Sequence, residues 1–131
     1  MKKKIFLYVS EEIGSFLKVQ QAFYALQFPV QWVHLVTGAQ VVAYLENLKI
    51  GEPLPQLIML DHGLSSTRVK QEFLNIQRHN PYKRIPFVIY SSSMDVRTQA
   101  FFKNWNVKVW VKRNPVDIKA LLPTVAENEG T

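Results

Sequence analysis

The chain has 131 residues, of which 47% are hydrophobic and 20% charged, with a formal net charge of +6 and no cysteine. This length is typical of one domain, and the lack of cysteine excludes disulfides, thiol nucleophiles, thiolate zinc sites and iron–sulfur clusters. No apolar run is long enough to cross a membrane. The basic start is followed too soon by Ser10 and Glu11 to be a signal peptide, so a cytoplasmic protein is expected.

Five apolar segments of strand length recur along the chain. Most are continuous apolar runs, as expected of strands that are buried on both faces of a parallel sheet. The predicted strands are Ile5–Val9, Val30–Val36, Leu57–Leu60, Ile85–Tyr90 and Val107–Lys112. The last of them alternates strictly between apolar and polar residues, which predicts a half-exposed strand at the sheet edge.

A helical segment follows each predicted strand. The first runs from about Ile13 towards Pro29, which breaks it, and the next three cover about 39–47, 67–78 and 94–104, the last of these with its N-cap region at 91–93. Pro115 opens a final helix that fades into a polar tail. Five strands alternating with five helices predict an α/β domain whose doubly wound parallel sheet is covered on both faces.

Polar side chains follow the predicted strands where each strand ends. Glu11 follows the first strand, Asp61 the third and Ser91 the fourth, while Lys112 closes the fifth. Ligands of open α/β sheets bind outside these carboxyl ends. Carboxylates from two strands suit Mg²⁺, a hydroxyl and an ammonium suit phosphoryl oxygens, and a carboxylate can itself become an aspartyl phosphate.

Each of these residues also has a plainer interpretation. Asp61 is alternatively an acidic residue left in an inactive site, and Glu11 a first-turn residue that stabilises the helix dipole. Ser91 is alternatively a helix N-cap, and Lys112 a solvated lysine on an edge strand. A mononucleotide-binding enzyme is a weaker alternative, because the acidic segment after the first strand lacks the donors of a phosphate loop.

Several segments resemble those of two-component response-regulator receiver domains. They are Leu57–Asp61, Arg84–Ser91, Val111-Lys112, and Thr37-Gly38 followed by Ala43–Leu45. The resemblance covers about 3–125 of one receiver-like domain at 1–131, with a polar tail at 126–131 and no room for a DNA-binding output. It implies a flavodoxin-like (βα)₅ fold with strand order 2-1-3-4-5.

The resemblance also implies a role for each site residue. Asp61 is the implied phospho-acceptor, Ser91 the switch hydroxyl and Lys112 the phosphate contact. Mg²⁺ is implied as the cofactor, held by Glu11, Asp61 and the backbone carbonyl of Gly63. Because glutamate is one methylene longer than the family's aspartate, weaker Mg²⁺ binding is expected.

The sequence departs from the family pattern in three places. Ser10-Glu11 stands where the family usually has two carboxylates, and two residues separate Lys112 from Pro115 where the family has none. The aromatic switch position falls on Val109, with Trp110 beside it. Trp110 is interpreted equally as rim packing or as part of a protein-binding surface.

By this resemblance the protein is a single-domain response regulator in a phosphorelay and not an enzyme. The implied partners are a histidine kinase or phosphotransfer protein and an unknown downstream protein. Helix 4, strand 5 and helix 5 form the implied signalling surface and a candidate homodimer contact, with Phe101, Phe102 and Trp105 as core plus partner-facing patch. The scattered basic residues favour a solvated surface over nucleic-acid binding. The alternative is a pseudo-receiver, a phosphorylation-independent interaction module, which the substituted acidic pair favours.

Overall fold

A single parallel sheet of five strands forms the centre of the molecule. The computed structural model describes residues 4–62, 66–80, 82, 84–92, 94–112 and 115–120. The strands are β1 (Lys4–Val9), β2 (Val30–Leu35), β3 (Leu57–His62), β4 (Phe87–Ser91) and β5 (Lys108–Val111). Their order across the sheet is β2-β1-β3-β4-β5, and every neighbouring pair is parallel, so the predicted α/β topology is confirmed.

Helices connect the strands and cover both faces of the sheet. They are α1 (Ile13–Ala25), α2 (Gly38–Glu46), α3 (Ser66–His79) and α4 (Val96–Asn104), followed by a short 3₁₀ turn at Ile118–Ala120. The final helix predicted from Pro115 is therefore represented by this 3₁₀ turn, and residues 121–131 lie outside the described part of the chain. No helix in that part has the length and apolar character needed to span a bilayer.

Strand alternation divides the core into two layers. Odd-numbered residues of β1, such as Leu7, pack with α2, α3 and α4, whereas even-numbered ones, such as Phe6 and Tyr8, pack with α1. Both layers exclude solvent, because side chains such as Phe6, Leu7 and Tyr8 are fully buried. Successive side chains of a strand point to opposite faces, so parity along each strand determines which layer a residue enters.

Two element boundaries differ from the predicted ones for identifiable reasons. β3 continues past Leu60 to His62, because β4 offers register partners up to Ser91. The N-cap of α4 is Asp95, whose side chain accepts the Thr98 N–H at 2.7 Å, and not one of the serines at 91–93. Asp95 has the extended backbone (φ −69°, ψ 162°) that an N-cap requires.

Candidate functional site

Asp61 lies at the carboxyl edge of the sheet and is the second-last residue of β3. Its side chain is only 3% exposed, and Oδ1 forms an ion pair with the Lys112 ammonium, which is 23% exposed. Lys112 follows β5 directly, and its backbone N–H donates to the Ser91 carbonyl at 2.8 Å, which continues the ladder beyond the strand. The two strand ends therefore bring Asp61 and Lys112 together as the sequence predicts.

A buried tyrosine binds the second oxygen of the same carboxylate. The Tyr8 hydroxyl donates to Asp61 Oδ2 at 2.6 Å, and the Tyr8 side chain is fully buried. Burial raises the pKa of Tyr8 well above its usual value, and the hydrogen bond to Asp61 and the charge of Asp61 raise it further. Both oxygens of Asp61 are thus bonded, one to a cation and one to a neutral donor.

The sequence analysis missed Tyr8, although a signal for it was present. Tyr8 pairs in register with Met59 of β3, two residues before Asp61. Residues two apart share a face and lie about 6.6 Å apart along a strand, a distance that a tyrosine ring can span. A tyrosine near the end of an apolar strand, on the face of the neighbouring strand's terminal acid, is the pattern that would have identified it.

An aromatic stack lies beneath the Lys112 side chain. The ammonium is 5.3 Å from the centre of the Tyr90 ring, and Tyr90 stacks on Trp110 with ring centres 4.6 Å apart. Trp110 is 3% exposed, and its indole N–H donates to the Asp117 carbonyl at 3.1 Å. Of the two interpretations of Trp110, packing is therefore the observed one. Burial and the charge of Asp61 raise the pKa of Tyr90.

The two carboxylates in the segment after β1, Glu11 and Glu12, are both exposed. Glu11 is 56% exposed and lies 3.6 Å from an Arg68 guanidinium nitrogen, in an ion pair between two exposed groups. Glu11 lies outside α1, because the N-cap is Glu12 and the helix begins at Ile13. The interpretation of Glu11 as a first-turn residue is therefore wrong, whereas Glu11 and Asp61 line the same cleft.

Ser10, which occupies one position of the family's acidic pair, has a structural role. It is 5% exposed, its hydroxyl accepts the Glu12 N–H at 2.9 Å, and the same hydroxyl donates to the Glu12 carbonyl at 2.8 Å. The Ser10 carbonyl lies 3.0 Å from His34 Nε2, and the His34 ring stacks on Phe16. Ser10 thus shapes the turn into α1, and the charge that a second acid would supply is missing.

A cleft of about 150 Å³ lies beside Asp61 and Lys112. The charged lining residues are the acids Glu11, Glu12, Asp61 and Glu72 and the cations Arg68 and Lys112, so carboxylates outnumber cations at the cleft. Ser91 is not among the described residues that line it. Ser91 is 2% exposed and is the register partner of His62, so strand alternation directs its side chain to the face opposite Asp61. Ser91 is also not the cap of α4, so that interpretation is wrong.

The oxygens at this cleft meet the minimal requirement of a hard divalent cation. Mg²⁺ can be held by one or two carboxylates together with waters and phosphate oxygens, and Glu11 and Asp61 supply two carboxylates. The exposed Glu11–Arg68 pair is weak enough for Glu11 to exchange partners. Within the described ranges there is no group of three metal-ligating side chains, and Gly63, the predicted backbone ligand, lies outside them. The residues present fit a weak two-carboxylate site.

No protein-family model and no curated protein matches the chain. Solved structures do, at low sequence identity. A two-component response regulator from Legionella pneumophila superposes with a TM-score of 0.76 at 14% identity, over 99% of this chain and 100% of that one. The phosphorylated cyanobacterial phytochrome response regulator RcpA gives a TM-score of 0.67 at 21% identity, over 98% and 91%. A response regulator in its Mn²⁺-bound form gives 0.65 at 22% identity, over 97% and 92%.

The matches with these three proteins cover 97–99% of this chain. The three proteins are similar to it in topology, and their sequence identity is too low to carry over residue roles. The strand order and the helices on both faces match the receiver-domain topology, and the matches cover nearly all of both chains. The chain therefore has the flavodoxin-like fold of response-regulator receiver domains.

Proposed function

We propose that the protein is a single-domain response regulator that accepts a phosphoryl group on Asp61. The observation that carries the proposal is the ion pair between Asp61 and Lys112 at the carboxyl edge of the sheet, beside a cleft. Ligands of open α/β sheets bind at this edge. A buried carboxylate paired with a lysine provides both an acceptor oxygen and a cation for the transferred group. The proposed donor is a phosphohistidine of a histidine kinase or phosphotransfer protein.

The transfer follows from the chemistry of these two side chains. Asp61 Oδ1 attacks phosphorus, the bond from phosphorus to the histidine nitrogen breaks, and that nitrogen keeps the electron pair. Lys112 then contacts the phosphoryl oxygens in place of the carboxylate, which conserves its charge pairing during the reaction. Glu11 and Asp61 are the residues that would hold Mg²⁺, together with the Gly63 carbonyl. When bound, the ion neutralises charge on the phosphoryl oxygens.

The proposed signal begins at Lys112. A phosphoryl group carries about two negative charges, and it draws the ammonium away from the Tyr90 ring that now lies 5.3 Å below it. Trp110 stacks on that ring and is tethered to the Asp117 carbonyl. A displacement of Lys112 is therefore transmitted to the segment that follows β5.

The proposed output surface is formed by α4, β5 and the segment after β5. On α4 the Phe102 side chain is fully buried, whereas Trp105, which follows the helix, is 47% exposed. This division matches a core residue beside a partner-facing patch. A downstream protein or a second copy of the chain would contact this surface.

The direct test is phosphorylation by a small donor. The protein is incubated with acetyl phosphate and Mg²⁺, and the intact mass is measured. The expected result is a gain of one phosphoryl group in the wild-type protein and none in Asp61→Asn. Absence of a gain, or a gain that persists in Asp61→Asn, would overturn the proposal.

A second candidate is an interaction module that works without phosphorylation. It is favoured by the ion pairs at the cleft, since Glu11 already pairs with Arg68 and Asp61 with Lys112. A Mg²⁺ titration followed by tryptophan fluorescence separates the candidates, and Trp110→Phe identifies the responding residue. Saturation in the millimolar range supports the phospho-acceptor, whereas no response and no mass gain together support the second candidate.

A further inference from the structure

Among the described side chains that contact Asp61, Tyr8 is the one whose role the proposed function does not use. Its hydroxyl is buried and has a single proton to donate, which it gives to Asp61 Oδ2 at 2.6 Å. The ring is packed against Phe16 and Trp32, with centres 5.2 and 6.1 Å away. Because these rings pack against it, the hydroxyl oxygen cannot move away from Asp61 without repacking this layer of the core.

We propose that Tyr8 is a positioning residue that directs Asp61 Oδ1 to the phosphoryl donor and shortens the lifetime of the phosphorylated state. This inference rests on the proposed function. The two oxygens of Asp61 have different surroundings, since Oδ2 faces the buried Tyr8 and Oδ1 faces Lys112, which is 23% exposed and borders the cleft. Oδ1 is therefore the nucleophile, and Oδ2 becomes the carbonyl oxygen of the acyl phosphate.

The effect on lifetime follows from the change in charge at Oδ2. A hydrogen bond to a carboxylate is about twice as strong as one to a neutral acceptor. Tyr8 therefore stabilises free Asp61 more than phosphorylated Asp61. In dephosphorylation, water attacks phosphorus and the bond to Oδ1 breaks. The electron pair stays on the carboxylate, inorganic phosphate leaves, and the bond from Tyr8 strengthens as this charge develops.

The test compares Tyr8→Phe with the wild-type protein and with a matched control. Tyr24→Phe is the control, because it removes the same hydroxyl from a side chain that is 84% exposed. Each protein is loaded with acetyl phosphate and Mg²⁺, the donor is removed, and loss of the phosphoryl group is followed by intact mass. We expect Tyr8→Phe to lose the phosphoryl group about fivefold more slowly. The free energies of a charge-assisted and a neutral hydrogen bond differ by about 1 kcal/mol, which corresponds to about fivefold in rate. Tyr24→Phe should match the wild type, and an unchanged or faster rate in Tyr8→Phe would overturn the inference.

A second measurement does not depend on phosphorylation, and its first part uses only the wild-type protein. In the unphosphorylated wild-type protein, the Tyr8 hydroxyl proton should give a slowly exchanging downfield resonance in proton NMR, and Asp61→Asn should move it upfield. Fast exchange would overturn the positioning of Asp61. If no protein takes a phosphoryl group, the proposed function fails and the lifetime effect fails with it. If all take one and Tyr8→Phe decays like the wild type, only the present inference fails.

Discussion

Replacing Tyr8 with phenylalanine should change how the stability of the protein depends on alkaline pH. The substitution removes one buried hydroxyl and leaves the ring that packs on Phe16. Burial, the bond to Asp61 and the charge of Asp61 all raise the pKa of Tyr8 in the folded protein. In the unfolded chain the same group titrates near its ordinary value of about 10.

The sign and size of the effect follow from proton linkage. Because the folded pKa is the higher one, the contribution of Tyr8 to stability is fully present below about pH 10 and is lost as the pH rises beyond it. In that range the unfolded chain binds fewer protons, so the free energy of unfolding falls by about 1.4 kcal/mol per pH unit. By about pH 11 the wild-type protein should have lost about 1.4 kcal/mol more than Tyr8→Phe, relative to neutral pH.

Urea unfolding followed by tryptophan fluorescence, repeated from neutral pH to about pH 11, measures this difference. Tyr44 and Tyr90, whose pKa values are also raised, are present in both proteins and cancel in the comparison. Tyr24→Phe should follow the wild-type curve. Parallel curves for the wild type and Tyr8→Phe would refute the argument, because they would mean that Tyr8 ionises as readily in the folded protein as in the unfolded chain.

Three further substitutions test other parts of the structure by urea unfolding or titration. Lys112→Met leaves the buried Asp61 carboxylate without its cation and should destabilise the protein by about 3 kcal/mol; combining it with Asp61→Asn should recover most of that loss in a double-mutant cycle. Asp95→Ala removes the N-cap of α4 and should cost about 1 kcal/mol in urea unfolding, whereas Asp95→Asn should cost less. Arg68→Gln breaks an exposed ion pair and should change stability by less than about 1 kcal/mol. Because it frees Glu11, it should also lower the Mg²⁺ concentration at half-saturation about threefold in the fluorescence titration.

The sheet was predictable because its signals are local. Each strand is an apolar run of ordinary length, and the alternation of helices and strands restricts the topology to a doubly wound sheet. The contact between Asp61 and Lys112 was predictable from this topology, because the carboxyl ends of parallel strands meet at one edge of the sheet. In the structure these two side chains form an ion pair.

The role of Tyr8 could not be read from its own segment. An apolar run places a tyrosine in the core, but the partner of its hydroxyl depends on the register between β1 and β3, and that register is a tertiary property. Ser91 shows the same limit. Its place at a strand end was correct, yet the register of β4 with β3 pairs it with His62 and pairs Tyr90 with Asp61.

The contacts of Asp61 and Glu11 also show what each neighbouring group would give up when Asp61 is phosphorylated. Lys112 loses little when Asp61 is phosphorylated, because its ammonium passes from the carboxylate to the phosphoryl oxygens. Tyr8 keeps a weaker hydrogen bond to the carbonyl oxygen of phosphorylated Asp61. This loss disfavours phosphorylation by about fivefold and does not block it. Glu11 differs, because it must leave Arg68 before it can hold a cation beside Asp61. That ion pair is exposed and weak, so it lowers the affinity for the cation about threefold and, like the hydrogen bond from Tyr8, does not block phosphorylation.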